Sequence, residues 1–190
     1  SQSAFILTSN RNLTFTQAAG GGTITGGNSG IRATGNGPGS IQITASGAVT
    51  GNTSAGIFVV NNSVASTSVT VTATDGTGHV HGINANNSGT GAITINASGN
   101  ILATRIPVNA TTNSSGVSAN QVNGTDINIT VNNVTAGSWG ISANNQSLAK
   151  GGNTTINATG AIFGGTGSPV GDSGAIGVDH NNSGALTVNL

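Results

Sequence analysis

Apolar and polar residues alternate with a period of two along most of this 190-residue chain. Such alternation sorts side chains onto the two faces of an extended strand. Ile41-Gln42-Ile43-Thr44-Ala45 shows the pattern, which returns as Val69–Ala73, Ile93–Ala97 and Ile127–Val131. Degenerate copies occupy Thr154–Ala158 and Leu186–Leu190. A phrase Gly-aliphatic-x-small precedes each: Gly30-Ile31-Arg32-Ala33, Gly56-Ile57-Phe58-Val59, Gly82-Ile83-Asn84-Ala85, Gly116-Val117-Ser118-Ala119 and Gly140-Ile141-Ser142-Ala143. Gly177-Val178-Asp179-His180 reads as a sixth, imperfect copy. After the alternating phrase come a turn and a third short stretch, as in Ser46–Val49, Ser98–Ile101 and Thr159–Ile162. Leu13–Thr16 and Gly22–Thr25 read as the second and third phrases of an incomplete first unit within residues 1–26.

Three short strands per unit, each with one apolar face, predict coils whose inward residues stack on those of the coils above and below. That is an all-β parallel solenoid occupying residues 1–190 as one piece. The anchors Gly30, Gly56, Gly82, Gly116, Gly140 and Gly177 are 26, 26, 34, 24 and 37 residues apart. Propeller blades need longer units, and helical repeats need an apolar period near 3.6. At about 4.8 Å per coil, six to seven coils make a rod roughly 30 Å long. Inward sites carry Ile, Val or Ala because a narrow coil encloses little volume. Asparagine pairs follow the glycine phrase at Asn61-Asn62, Asn86-Asn87, Asn144-Asn145 and Asn181-Asn182. Asn tolerates the left-handed backbone of a sharp corner, and its amide can bond to copies above and below. The pairs are therefore expected to form a corner ladder.

The run GINANNSGTGAITINASGNI, Gly82–Ile101, resembles the passenger region of bacterial autotransporters, with the likeness extending over about residues 22–190. The resemblance implies a right-handed parallel β-helix that is secreted or displayed on a Gram-negative outer surface. In that family a separate C-terminal outer-membrane barrel performs translocation; no such barrel is present in these residues. The implied role is a non-enzymatic adhesin, binding a protein or glycan of a host or neighbouring cell. A released effector acting on a host receptor and a purely structural stalk are the alternatives.

Composition narrows the chemistry. Charged residues are 4%, aromatics 3%, and net charge is zero. Nucleic-acid binding is excluded, since phosphate contacts need clustered Lys and Arg. With no cysteine there is neither a disulfide framework nor a Cys-based zinc site. No apolar run approaches 18 residues, so no membrane-spanning helix or intact signal peptide is expected. The acids are Asp75, Asp126, Asp172 and Asp179, scattered over different units. Glycoside hydrolysis needs two neighbouring carboxylates, and no Ser–His–Asp pattern stands out, so an enzyme is not expected. His79 and His81, two apart, would share one strand face, but His180 is distant and no third ligand joins them; neither metal nor cofactor is expected.

Recognition is expected on loops inserted between strands. Two units are enlarged, at residues 102–115 with Arg105, Ile106, Pro107 and Val108, and at residues 163–176 with Pro169, Val170 and Asp172. Both inserts follow the third phrase and should emerge on one edge. Trp139, the only Trp, precedes the Gly140 anchor where other units carry Ser29, Ala55, His81, Ser115 and Ile176. Phe58 takes an outward position held elsewhere by Arg32, Asn84 and Ser118. Both are contact candidates. The outward Thr14/Thr16, Gln42/Thr44, Thr70/Thr72, Thr94/Asn96, Asn128/Thr130, Thr155/Asn157 and Thr187/Asn189 resemble the flat Thr array of some ice-binding proteins. Self-association through the end coils is a further expected contact.

Overall fold

In the computed structural model, residues 2–105, 114–146, 151–165 and 173–190 are described. They contain strands and no helix. Strands β1 (Phe5–Ser9), β4 (Ile31–Gly35), β6 (Ala55–Asn61), β8 (His81–Asn87), β10 (Ser115–Gln121), β12 (Trp139–Asn145) and β15 (Gly174–His180) lie side by side in that order. A second sheet runs β2 (Leu13–Thr16), β5 (Ile41–Gly51), β7 (Val69–Gly78), β9 (Ile93–Ala103), β11 (Ile127–Thr135), β13 (Thr154–Ala158), β16 (Leu186–Asn189). In it, β3 (Ile24–Gly26) also pairs with β5 and β14 (Ile162–Phe163) with β11. All pairings in both sheets are parallel. We call the sheets A and B; from β4 to β13 the chain alternates between them at every step.

Parallel sheets usually have both faces covered by helices. Here each sheet buries one face against the other. The register stacks like on like: Phe5, Ile31, Ile57, Ile83, Val117, Ile141 and Ile176 form one inward column of sheet A. Leu7, Ala33, Val59, Ala85, Ala119, Ala143 and Val178 form the next. Opposite them, sheet B stacks Leu13, Ile41, Val69, Ile93 and Ile127, then Phe15, Ile43, Val71, Ile95, Ile129 and Ile156. Apart from Phe5, which is exposed at the end of its column, these residues join into one core cluster. Each buried Ile contributes on the order of 1.5–3 kcal/mol by leaving water.

In β5, β7, β9 and β11 the anticipated second and third strands are one bent strand, whereas β2 and β3, and β13 and β14, stay separate as expected. β5 and β9 each run eleven residues, with register shifts between Ala45 and Ala48 and between Ala73 and Gly76. The bend redirects Val49, Ile101 and Val134 into the core without releasing the ladder. At the bend a Cβ on Gly99 would lie 2.7 Å from the Thr74 carbonyl, so only glycine passes.

Four further expectations are corrected. The first unit has a sheet-A strand after all: β1 lacks the glycine anchor, yet Phe5 pairs with Ile31 and Leu7 with Ala33. Gly177 is not the sixth anchor, because Ile176 pairs with Ile141 and Gly177 with Ser142. The offset is two residues, which preserves which face each side chain takes. Third, Asn181-Asn182 are not the last corner pair; His180 holds the register of Asn145. Finally, no described non-glycine residue has positive φ, so the corner asparagines are not there for a left-handed backbone. The expected amide ladder holds at one outer member, where Asn62 Nδ2 donates to Asn36 Oδ1 of the preceding coil at 3.0 Å, but the inward members Asn61, Asn87, Gln121 and Asn145 do not bond amide to amide. They are fully buried and reach into the turns instead. Asn87 Nδ2 donates to the Gly91 carbonyl (3.0 Å), and its Oδ1 accepts from Ser66 Oγ (3.0 Å) and the Gly89 amide (3.1 Å). Gln121 Nε2 donates to the carbonyls of Gly89 and Gly91, and Asn145 Nδ2 to that of Thr125. His180 continues this role, its Nδ1 2.9 Å from Thr154 Oγ1 and its Nε2 2.9 Å from the Gly184 carbonyl.

Candidate functional site

Both enlarged connections join the end of sheet B to the start of sheet A, so the expected common edge is where they leave the sheets. The first departs after Arg105, whose amide donates to the His79 carbonyl at 2.7 Å, and returns at Ser114, whose hydroxyl donates to the Arg105 carbonyl at 2.9 Å. Ile106, Pro107, Val108, Pro169, Val170 and Asp172 lie outside the described residues.

Trp139 opens β12 on this same edge: its amide donates to Ser114, and the Gly174 amide donates to Ser138. Its register partner is Gly174, not Ile176. A Cβ built on Gly177 would lie 2.8, 2.9 and 3.0 Å from Cε3, Cζ3 and Cδ2 of the indole, and one on Gly174 would lie 3.0 Å from Cζ3. The six-membered ring therefore lies over bare backbone on the outer face of β15. Beside it is a notch of about 290 Å³ lined by Trp139, Ser142, Asn144, Gly177 and Asp179, with Ala143 and Val178 completing it. Among the described residues Asn144 Oδ1 has no hydrogen-bond partner. Asp179 Oδ1 accepts from Asn181 Nδ2 at 2.6 Å. Of these residues, sequence reasoning singled out only Trp139 for recognition. The signal for the others was the Gly174-x-x-Gly177 spacing, which falls under the indole only once the register is known.

Phe58 is outward, as expected, but it is far from Trp139 on β6, and the Arg32 guanidinium carbon sits 5.0 Å from its ring centroid. That contact, worth about 0.5–1 kcal/mol at an exposed site, accounts for both residues on the polar face. The histidines do not converge. His79 lies in a turn rather than on a strand, His81 begins β8, and His180 ends β15. Among the described residues no group of three or more His, Asp or Glu could hold a metal. Burial pushes the His81 imidazole below its usual pKa, against an opposing backbone hydrogen bond at Ser115, and its Nδ1 has no partner among the described residues. Asp75 and Asp126 each accept a backbone amide from the next repeat, Asn100 at 2.7 Å and Asn153 at 2.8 Å.

On sheet B the two outward columns are in register through seven strands, Thr14 to Thr187 and Thr16 to Asn189. A hollow of about 390 Å³, lined by Thr72, Asn96, Ser98, Thr130, Asn132 and Thr159, interrupts the second column where the strands bend. No protein-family model, curated protein or solved structure matches the chain.

Proposed function

We propose that this chain is a segment of an autotransporter-like passenger: a right-handed parallel β-helix of about six to seven coils, carried outside a Gram-negative cell, that binds another cell's surface without catalysis. The supporting observation is the repeat stack itself, in which the inward columns hold their register while the outward positions of sheet A vary in chemistry, from Arg32 and Phe58 to Asn84, Ser118 and Ser142. A scaffold of that kind presents outer-face side chains at fixed spacing for contact. Right-handedness is the reading that agrees with the almost universal hand of strand–crossover–parallel strand connections. Immobilised chain should retain cultured host or neighbouring cells, and replacing residues 106–113 with a short turn should lower retention while preserving the β circular dichroism. Retention at the level of an uncoated surface overturns the adhesive reading; receptor activation by soluble chain would favour the released-effector alternative.

A second reading is favoured by the registered threonine columns of sheet B. Where Thr follows Thr across strands, as at Thr16–Thr44–Thr72, Thr70–Thr94 and Thr155–Thr187, hydroxyls about 4.8 Å apart could order water into an ice-like layer, with Gln42 and the Asn positions interrupting it. Thermal hysteresis at millimolar chain tests it, and its absence dismisses it.

A further inference from the structure

We propose that the Trp139–Asp179 notch on the outer face of sheet A binds a single neutral pyranose unit of a cell-surface glycan. This rests on the adhesive reading above and names its ligand class and site. An indole face carries negative quadrupole charge, which attracts the polarised C–H groups on the apolar face of a pyranose ring. Stacking of that kind needs an aromatic ring presented flat at a surface, and Gly174 and Gly177 permit it: any side chain at Gly177 would lift the ring. Sugar recognition also needs hydrogen-bonding groups beside the ring, and Ser142, Asn144 and Asp179 line the same notch. One Asp179 oxygen is held by Asn181, which fixes the carboxylate and leaves the other oxygen to accept from a pair of sugar hydroxyls. Asn144 Oδ1 has no donor among the described residues, so turning it toward a ligand breaks no bond from them to that atom. The notch volume of about 290 Å³ accommodates one ring rather than a chain.

The carboxylate also sets the specificity. No described Lys or Arg lines the notch, so an acidic sugar would meet Asp179 uncompensated. Neutral pyranosides are accepted and uronic acids rejected. A shallow, open site of this size should bind one unit with Kd of about 1–10 mM. Useful adhesion then comes from many copies engaging together.

Because Trp139 is the only tryptophan, intrinsic fluorescence reports from the notch itself. The chain is titrated with methyl β-galactoside, methyl β-glucoside, methyl α-mannoside, methyl α-fucoside and methyl β-glucuronide. At least one neutral glycoside should give a saturable change, the glucuronide should bind at least about tenfold more weakly, and Asp179→Asn should weaken the neutral sugar several-fold with unchanged circular dichroism. Gly177→Val, which displaces the ring, should abolish the response. No saturable change with any neutral glycoside up to about 100 mM, or Asp179→Asn and Gly177→Val both titrating like the parent, overturns the proposal. Cell retention separates this from the broader reading. Retention unaffected by Asp179→Asn overturns the notch as the adhesive site, whereas glycoside binding without retention upholds the notch and overturns the adhesive role.

Discussion

The recurring glycine of the Gly-aliphatic phrase is required by proximity rather than by an unusual backbone angle. A Cβ on Gly56 or Gly82 would lie 2.8 Å from the carbonyl of the next glycine in the stack, Gly82 or Gly116. A backbone carbonyl tied into a ladder cannot yield as a side chain would. Gly82→Ala is therefore expected to cost about 1–3 kcal/mol in urea unfolding, by forcing neighbouring repeats apart. Gly76→Ala, whose Cβ would meet its nearest neighbour at 3.3 Å, is expected to cost less. The His81 imidazole supplies a pH dependence of definite sign. Its pKa is lowered in the folded chain, so below about pH 6.5 the unfolded chain takes up the proton first and stability falls. The melting temperature should drop between pH 7 and pH 5, and His81→Ala should flatten that slope; Ala55, its register partner, shows that the column accepts alanine.

At the scale of the elements, the buried amide column joins the C-terminal ends of sheet-A strands to the turns that lead into sheet B. Asn87 satisfies a hydroxyl, an amide and a carbonyl that no strand ladder reaches. Asn87→Ala should destabilise the chain by about 1–3 kcal/mol, since those groups would be left buried and unpaired. Asn86→Ala, a residue on the outer face, should cost much less, and comparing the two melting curves checks the assignment. The pattern of the pairs pointed to these corners, but not to which member is buried. Parity along the strand decides that: Asn87 and Asn145 share the inward parity of Ile83 and Ile141, while Asn86 and Asn144 do not.

For the molecule as a whole, stability comes from stacked apolar layers and backbone ladders, with few charges to screen. Melting between low and about 1 M sodium chloride should shift little. The sheet edges are the vulnerable feature. Leu186 (49% exposed) and Val188 (41% exposed) lie on β16, an edge strand of sheet B, with Leu190 following. Such an edge offers unpaired backbone groups beside apolar side chains and can template association. Association through this edge predicts a sedimentation coefficient that rises with concentration and that Leu186→Lys with Val188→Lys returns to the monomer value; a concentration-independent coefficient for the parent chain overturns it.

Period-two alternation and the repeated glycine phrase determined by themselves that this chain forms stacked parallel strands, because inward position follows from parity alone. They also placed the two threonine columns correctly, since neighbouring alternating phrases differ little in length. Only the tertiary structure decided the register of β15, where a two-residue offset keeps parity and leaves no trace in the alternation. From that offset followed the flat seat of Trp139 over Gly174 and Gly177 and the placing of His180 in the amide column. The notch depends on residues brought together across neighbouring strands. Sequence spacing cannot specify such contacts while the lengths of the intervening loops vary.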